Sequence, residues 1–496
     1  MSVTESRPSA AVLTQGCKVN QYESEAIAEA LTARGFTIRP PQEVCDLYVV
    51  NTCTVTAESD RKARQAIRRL LSENPEAFLI VTGCSAQKAA DAIAAIPGVD
   101  CIVGNRNKLA VADAAVSLWR AGVKPARPLL EVGTLEGSAF EAMTITHFER
   151  TRAYVKIEDG CECRCTYCAI PDARGPVRSK PAEAVLDEVR GLVAGGCREV
   201  VLTGIETGSW GRDLPDSPRL CDLLRAVDAL PGIGRVRLGS LDPSVMTPRF
   251  VEIVSALPSL APHFHLSVQS GCSATLARMH RRYNADQAEA AIARLRAAIP
   301  HVQLTTDMIV GFPGETEEEF AASLAFARRV GFLHIHVFPY SRRAGTPAAT
   351  MPEQVPEPIR RRRAAELSAA SEQSRDAILD AALRAGRPLP VLFESREGGM
   401  CFGHTPEFLE VRVAAGADLR GSEATVLPRS RDGGVLTAEL ICDRTPAEEK
   451  QETRAGRKDF CIWSNTPSEP MNSGSRRLRV GRSTPSVSCC PMLCRG

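Results

Sequence analysis

An α/β fold in three successive parts is what this chain of 496 residues predicts: a doubly wound parallel sheet, an open βα barrel, and a small closed β-barrel. Three observations predict it. Over residues 1–125 short apolar runs alternate with longer amphipathic stretches, the mark of strand then helix. From Arg152 that rhythm restarts and runs six times, too few units for a closed eight-stranded barrel. From Gly386 it gives way to short β-rich runs between glycine turns.

In the first part, Ala11 to Leu13, Asp46 to Cys53, Phe78 to Val81 and Cys101 to Gly104 read as strands. Glu23 to Leu31 and a basic stretch from Glu58 to Leu71 read as helices. Such alternation implies a parallel sheet covered on both faces. Cys17, Cys53 and Cys84 each follow a strand at its carboxyl end, the edge where open α/β sheets bind ligands. One buried cysteine is ordinary core. Three at equivalent positions predict a converging metal site. Cys45 and Cys101 stand at the opposite edge and read as structural.

The second part spans 147–380, with strands at Ala153 to Ile157, Glu199 to Thr203, Arg235 to Gly239, His263 to Val268, Gln303 to Val310 and Leu333 to Phe338. Its first strand runs into Cys161-Glu162-Cys163-Arg164-Cys165-Thr166-Tyr167-Cys168. Four cysteines so close allow several ligand sets. Cys161, Cys165 and Cys168 form a CxxxCxxC set that gives a four-iron cluster three thiolates and leaves one iron open, where a closed structural site would fill every position. Cys163 reads as a bystander. A four-cysteine zinc knuckle is the competing reading, but zinc sites usually pair two hooks across a longer loop. After the later strands come Gly204 and Glu206, then Ser240 and Asp242, then Gln269 and Ser270. Gly311 to Gly314 follow, without the lysine of a phosphate-binding loop. Arg342 and Arg343 close the sixth strand as candidate phosphate contacts. Arg360 to Arg363 open the next helix with a solvated face as the equal alternative.

The third part covers 386–445, with strands at Pro390 to Phe393, Leu409 to Val413 and Glu423 to Leu427. Few aromatic side chains are available there for stacking bases. Residues 446–496 lose the globular pattern and are expected to be a disordered extension.

Composition narrows the class of function. Hydrophobic residues make up 44% and charged residues 24%, as in a soluble globular protein, and a net charge of +2 puts any nucleic-acid binding on local patches. Met1 to Pro8 hold no apolar leader and no stretch approaches a membrane span, so a cytoplasmic protein is expected. In that compartment 18 cysteines favour metal ligation over disulfides.

The CxxxCxxC loop resembles the cluster motif of the radical S-adenosylmethionine (SAM) enzymes. Thr14-Gln-Gly-Cys17-Lys-Val-Asn20, Val50-Asn-Thr-Cys53-Thr-Val-Thr56 and Thr82-Gly-Cys84 resemble the N-terminal domain of the methylthiotransferases. Lys18 to Gln21, Thr54 to Thr56 and His336-Val-Phe-Pro-Tyr340 look like the branch acting on N6-threonylcarbamoyladenosine in tRNA. The resemblance implies two 4Fe-4S clusters, one on Cys161, Cys165 and Cys168 that cleaves SAM, and one on Cys17, Cys53 and Cys84 that carries the inserted sulfur. It further implies SAM contacts from Tyr167, Gly204, Glu206, Ser240, Gln269 and Gly311, and an RNA-binding C-terminal β-barrel of the TRAM type, similar to the oligonucleotide-binding fold. The partners it implies are the tRNA anticodon loop and an electron donor such as flavodoxin or ferredoxin, with the enzyme acting as a monomer and apart from membranes. Competing readings are another methylthiotransferase branch, on isopentenyladenosine tRNA or a ribosomal-protein aspartate, and a non-catalytic RNA-binding zinc protein.

Overall fold

The computed structural model describes residues 7–148 and 151–441, so the expected extension at 446–496 lies outside the described residues. In the first part, β1 (Ser9–Thr14), β2 (Thr37–Ile38), β3 (Leu47–Thr52), β4 (Phe78–Gly83), β5 (Cys101–Val103) and β6 (Leu129–Glu131) form one parallel sheet. Its order is β2-β1-β3-β4-β5-β6. The two strands absent from the sequence reading, β2 and β6, are edge strands of two and three residues, too short to leave a periodic signal.

Helices α1 (Lys18–Ala33), α2 (Ala57–Glu73), α3 (Cys84–Lys88), α4 (Ala90–Ala94) and α5 (Ala110–Ala121) connect these strands. Side chains alternate across a strand. Leu47, Val49, Ile80 and Val103 therefore face Ile27, Leu31 and Leu118 of α1 and α5. Tyr48, Val50, Val81 and Ile102 face Ile67 and Leu70 of α2 on the other side. The sheet is doubly wound, and the chain reverses direction between β1 and β3, the switch point where such sheets bind ligands. Helix α2 starts where the Thr56 side chain accepts from Ser59 N at 3.1 Å, with Glu58 and Asp60 in its first turn favoured by the helix dipole.

The central part contains β7 (Arg152–Lys156), β8 (Glu158–Asp159), β9 (Arg178–Ser179), β10 (Glu199–Thr203), β11 (Arg235–Leu238), β12 (Ser240–Leu241), β13 (His263–Gln269), β14 (Gln303–Val310) and β15 (His334–Pro339). β8 and β9 pair with each other alone. The others form two parallel sheets, β11-β10-β7 and β12-β13-β14-β15. The chain crosses from one sheet to the other at Gly239, between β11 and β12, which makes an open barrel of six strand positions. Val155, Val200, Leu202, Leu238, Leu266, Leu304 and Val310 point outward into the helix-covered core. The alternate positions are polar, and they line the interior: Glu199, Arg237, His263, His265, Asp307, His334 and His336.

A 29-residue helix, Glu357–Ala385, leads to the third part. There β16 (Leu389–Glu397), β17 (Met400–His404), β18 (Glu410–Ala414), β19 (Glu423–Asp432) and β20 (Val435–Leu440) close in the order β16-β17-β18-β20-β19. This barrel docks at the amino ends of the central strands, through charge. Glu199 accepts from Arg235 and Arg237, at 2.8 Å for Arg237 Nε, and pairs with Arg152 at 2.9 Å. The same arginines reach outward: Arg152 to Glu394, Arg235 to Glu423 at 2.6 Å, and Arg237 to the Pro406 carbonyl at 3.1 Å. Phe408 lies under both Arg152 and Arg237 and stacks between His263 and His404. It is therefore consumed by the interface and does not serve as a platform for a base.

Candidate functional site

The carboxyl edge of the first sheet gathers the N-terminal cysteines. Cys17 precedes α1, Cys53 follows β3 and Cys84 opens α3. Gly16 makes this possible: it adopts φ +104°, and a Cβ there would stand 2.8 Å from Cys53 Sγ. Burial, the largest cause, pushes Cys53 up to about 11, and the neighbouring Cys84 and Cys17 thiols add to it. Such thiols hold their protons until a metal displaces them.

The second triad lies in the loop after β7. That loop is pinned from other strands: Thr166 N donates to the Met279 carbonyl at 3.1 Å, Thr166 Oγ1 to the Arg278 carbonyl at 2.9 Å, and Ala348 N to the Thr166 carbonyl at 2.9 Å. Burial pushes Cys168 up to about 12. Cys163, read as a bystander, is drawn down to about 6, chiefly by its hydrogen bond with Cys161, whose own pKa rises.

These donor sets fit clusters better than single ions. Five of the six sulfurs already accept an N–H: Cys53 from Val55 N at 3.5 Å, Cys84 from Arg174 Nε at 3.2 Å, Cys161 from Cys163 N at 3.4 Å, Cys165 from Arg281 Nη1 at 3.3 Å, and Cys168 from Ile170 N at 3.4 Å. Donors aimed at sulfur are how a protein stabilises cluster thiolates and sets their potential. Thiolates around one zinc ion lie about 4 Å apart, given Zn–S bonds of about 2.3 Å. Among the described residues, the group of three ligand atoms all within 4.8 Å of one another is His265, Asp307 and His336, so each cysteine triad is more open than that.

The residues expected at SAM divide. Glu206 is the best supported: its Oε1 is buried without a hydrogen-bond partner, and burial, with Asp242 and Cys163 adding, pushes its pKa up to about 8. A buried carboxylate left in this state is made for an incoming donor such as an ammonium or a ribose hydroxyl. Gly204 supports it indirectly, since a Cβ there would meet Glu158 Oε2 at 2.6 Å, and that oxygen accepts from Glu206 N at 2.8 Å. Gln269 holds φ +68° at a bulge where β13 changes register against β14, an unusual conformation for its residue type. Ser240 is half-buried on β12, and Tyr167 meets Phe312 edge-on at 6.4 Å. At Gly311 the φ is +69°, and a Cβ there would lie 2.2 Å from Arg360 Cγ, so only glycine lets Arg360 pack against this position.

Two arginines escaped the sequence reading. Arg281 joins Cys165 to Asp242 at 2.7 Å and to the Ser267 carbonyl at 3.0 Å. Arg174, on the short helix α6 (Ile170–Arg174) that follows Cys168, donates to Cys84 and pairs with Glu23 and Asp159 while fully buried. It thereby ties the loop of one triad to a ligand of the other. Burial alone would raise the pKa of Glu23, but Arg174, Lys108 and Lys156 outweigh it and hold the carboxyl well below the usual range. Nothing local marks these residues, because the sulfurs they reach lie 90 and 116 positions away.

The expected phosphate contacts also change. Arg343 is buried against Asp60 at 2.7 Å and bonded to Thr54, which makes it a tie between the first two parts and removes it from any open surface. Arg360 donates to the Tyr340 carbonyl, Arg363 pairs with Glu315 and Glu317, and Arg361 and Arg362 pair along or across helices. Arg342 remains exposed, using Nε on the Ala349 carbonyl at 2.7 Å.

Comparison with known proteins agrees with this anatomy. Residues 9–104 match the model of an uncharacterized protein family, UPF0004, and residues 155–327 that of the radical SAM superfamily. The chain is 37% identical over 418 residues to the threonylcarbamoyladenosine tRNA methylthiotransferase MtaB of Bacillus subtilis, covering 82% of this chain and 91% of that one. It is 38% identical over 362 residues to the tRNA-2-methylthio-N(6)-dimethylallyladenosine synthase of Carboxydothermus hydrogenoformans, covering 72% and 81%. Among solved structures, the radical SAM methyltransferase TsrM from Kitasatospora setae shares the fold, with a TM-score of 0.51 at 16% identity over 69% of this chain and 77% of that one. With two cysteine triads on two domains, and relatives that match nearly end to end, the chain belongs to the radical SAM methylthiotransferase family.

Proposed function

We propose that the protein adds a methylthio group to C2 of N6-threonylcarbamoyladenosine beside the anticodon of tRNA. The observation that carries the chemistry is the pair of cysteine triads, each with N–H groups aimed at sulfur, linked by Arg174. When bound, two 4Fe-4S clusters and SAM supply the electron, the radical chemistry, the sulfur and the methyl group. The chain's own residues do the rest. Cys161, Cys165 and Cys168 hold one cluster with an iron open, Cys17, Cys53 and Cys84 hold the other, and Glu206 orients the cofactor. The buried network of Glu23, Asp159, Arg174 and Lys156 fixes the two domains against each other.

The choice of substrate rests on the barrel interior. Glu199, Arg237, His263, His265, Asp307, His334 and His336 make a polar lumen suited to a substituent bearing hydroxyl, carbonyl and carboxylate groups. An isopentenyl group there would bring no hydrogen-bonding group to the imidazoles of His334 and His336, which lie edge to face with each other, and would desolvate them at a cost of about 1–3 kcal/mol each. Relatives acting on both kinds of tRNA match at similar identity, so sequence likeness alone does not decide. An unpaired anticodon loop exposes the base edge that such a site needs, and Arg342, which is exposed, would meet its phosphates. A flavodoxin or ferredoxin donor, a monomeric enzyme and a cytoplasmic setting belong to the same reading. Among the described residues no helix is long and apolar enough to cross a membrane.

The test is nucleoside mass spectrometry on anaerobic reactions with tRNA bearing threonylcarbamoyladenosine or isopentenyladenosine. The methylthio product is expected on the first. Product on the second alone overturns the substrate assignment.

A further inference from the structure

On the second sheet of the central barrel, strand register brings three metal-binding side chains together. β13, β14 and β15 are parallel neighbours, with His265 opposite Thr305 and Asp307 opposite His336. Residues two apart on a strand share a face, so Thr305 and Asp307 line the lumen beside His265 and His336. One ligand atom from each of His265, Asp307 and His336 lies within 4.8 Å of the other two. His265 Nε2 stands 3.2 Å from Asp307 Oδ2. Metal bonds of about 2.1 Å put neighbouring ligand atoms about 3.0–3.4 Å apart, so this pair is spaced as two ligands of one ion. The same distance suits a hydrogen bond, and the surroundings decide between the two.

Among the described residues Asp307 pairs with His265 and with no lysine or arginine, although Glu199 in the same lumen takes three arginines. Its carboxylate therefore faces imidazoles alone. His265 is held at its far nitrogen: Nδ1 meets the Thr305 hydroxyl at 2.9 Å, and that hydroxyl meets His263 Nε2 at 3.1 Å. A ligating histidine donates its other ring N–H to an oxygen, which fixes the tautomer and turns the lone pair toward the ion. With His265 Nδ1–H donating to Thr305, and Thr305 donating on to His263, Nε2 is a bare lone pair aimed at Asp307. Two such acceptors repel unless a cation lies between them. His336 supplies the third arm. Its ring lies 5.7 Å from that of His265 and 4.5 Å from that of His334, and neither of its nitrogens makes a hydrogen bond among the described residues, so nothing holds the ring against a turn onto an ion.

We propose that His265, Asp307 and His336 form a mononuclear site for a divalent transition-metal ion in the barrel lumen, made of none of the cysteines, with Thr305 as the positioning residue for His265. Two imidazoles and a carboxylate suit Fe(II), Mn(II) or Zn(II), and without a thiolate the set does not select for a cluster or for Cu(I). Three protein ligands leave coordination positions open. These face the lumen and take oxygen donors, either water or a carboxylate or hydroxyl oxygen of a molecule in the barrel. The site stands on its own geometry and does not depend on which tRNA base is the substrate.

The experiment titrates Mn(II) chloride into the anaerobically reconstituted full-length protein, with both clusters in place and no tRNA. Mn(II) is the probe because it prefers oxygen and nitrogen donors, so the cysteine triads do not compete for it. Loss of the free-ion electron paramagnetic resonance spectrum counts bound Mn(II), and the pulsed experiment reads its coupling to imidazole nitrogen. One ion per chain, coupled to nitrogen, is expected. Thr305→Val leaves the ligands in place and should weaken binding roughly 10-fold, the lower end for an outer-shell partner. His336→Ala and Asp307→Asn should weaken it at least as much, at unchanged iron content. His336 is exposed, so its variant keeps the fold and decides the matter if the Asp307 variant does not fold. Absence of saturable one-to-one binding by the wild type overturns the site. So does bound Mn(II) that lacks nitrogen coupling or keeps its affinity in His336→Ala, since surface carboxylates then hold it. No turnover enters the measurement, so its outcome is read independently of the proposed function.

Discussion

Replacing Arg281 by methionine should lower the reduction potential of the cluster held by Cys161, Cys165 and Cys168. Arg281 Nη1 stands 3.3 Å from Cys165 Sγ and Nη2 stands 2.7 Å from Asp242 Oδ2, so the variant removes a cation from the ligand sphere and unmasks an anion. Charge gained on reduction spreads over a whole cluster, so an effective separation of about 7 Å is appropriate. At an effective dielectric of about 20 the lost attraction is then about 2–3 kcal/mol. For a one-electron couple, at about 59 mV for each 1.36 kcal/mol, that is roughly 100 mV. The sign is fixed, because the reduced state carries the extra negative charge and loses more stabilisation. Asp242 acts in the same direction, so Arg281→Met with Asp242→Asn should recover much of the shift. Potentiometric titration followed by electron paramagnetic resonance reads both clusters, with the one on Cys17, Cys53 and Cys84 as internal reference. A shift of the single variant below roughly 30 mV, or toward positive potential, refutes the role given to Arg281.

Three further outcomes follow from the same geometry. Cys53→Ala should preserve formation of 5′-deoxyadenosine from SAM and abolish the methylthio product; product from this variant would refute the donor role of the first triad. Gly16→Ala would bring a Cβ to within 2.8 Å of Cys53 Sγ, so iron content should fall to about half, with the loss confined to one of two clusters. Glu199→Gln leaves Arg152, Arg235 and Arg237 without their shared anion. Burial raises the pKa of Glu199, but the arginines outweigh it and hold it near 2 against an ordinary 4.5, a difference equivalent to about 3 kcal/mol. A depressed carboxyl contributes its stability above its unfolded pKa and loses it as pH falls through the folded one, here between about 4.5 and 2. At pH 7 denaturant unfolding should therefore show the variant weaker by about 3 kcal/mol, with the C-terminal barrel loosened first; a loss below about 1 kcal/mol would contradict the ion cluster.

Much of the site was legible in the chain because its ligands follow strands. A strand announces itself through a short apolar run, and its carboxyl end is fixed once the sheet is parallel. Cys17, Cys53 and Cys84 could thus be placed on one edge from residues far apart in sequence, and the loop from Cys161 to Cys168 carries its three ligands within a single turn of chain. Glu206 was legible for the same reason, as a polar residue just beyond a strand. The closed barrel of the third part was read from three of its five strands, since β17 and β20 have too little apolar contrast to stand out beside their turns.

What the sequence by itself determined is therefore the order of elements and the residues at strand ends, which depend on contacts between neighbours along the chain. Tertiary structure alone decided the charges. Arg343, legible as a phosphate contact, is buried on Asp60. Arg174 and Arg281 gained roles that no local pattern carries. The physical reason is that an arginine or lysine has a long, flexible side chain whose partner is chosen by packing between distant segments. Its charge is identical in the sequence whether it ends on a sulfur or on a carboxylate.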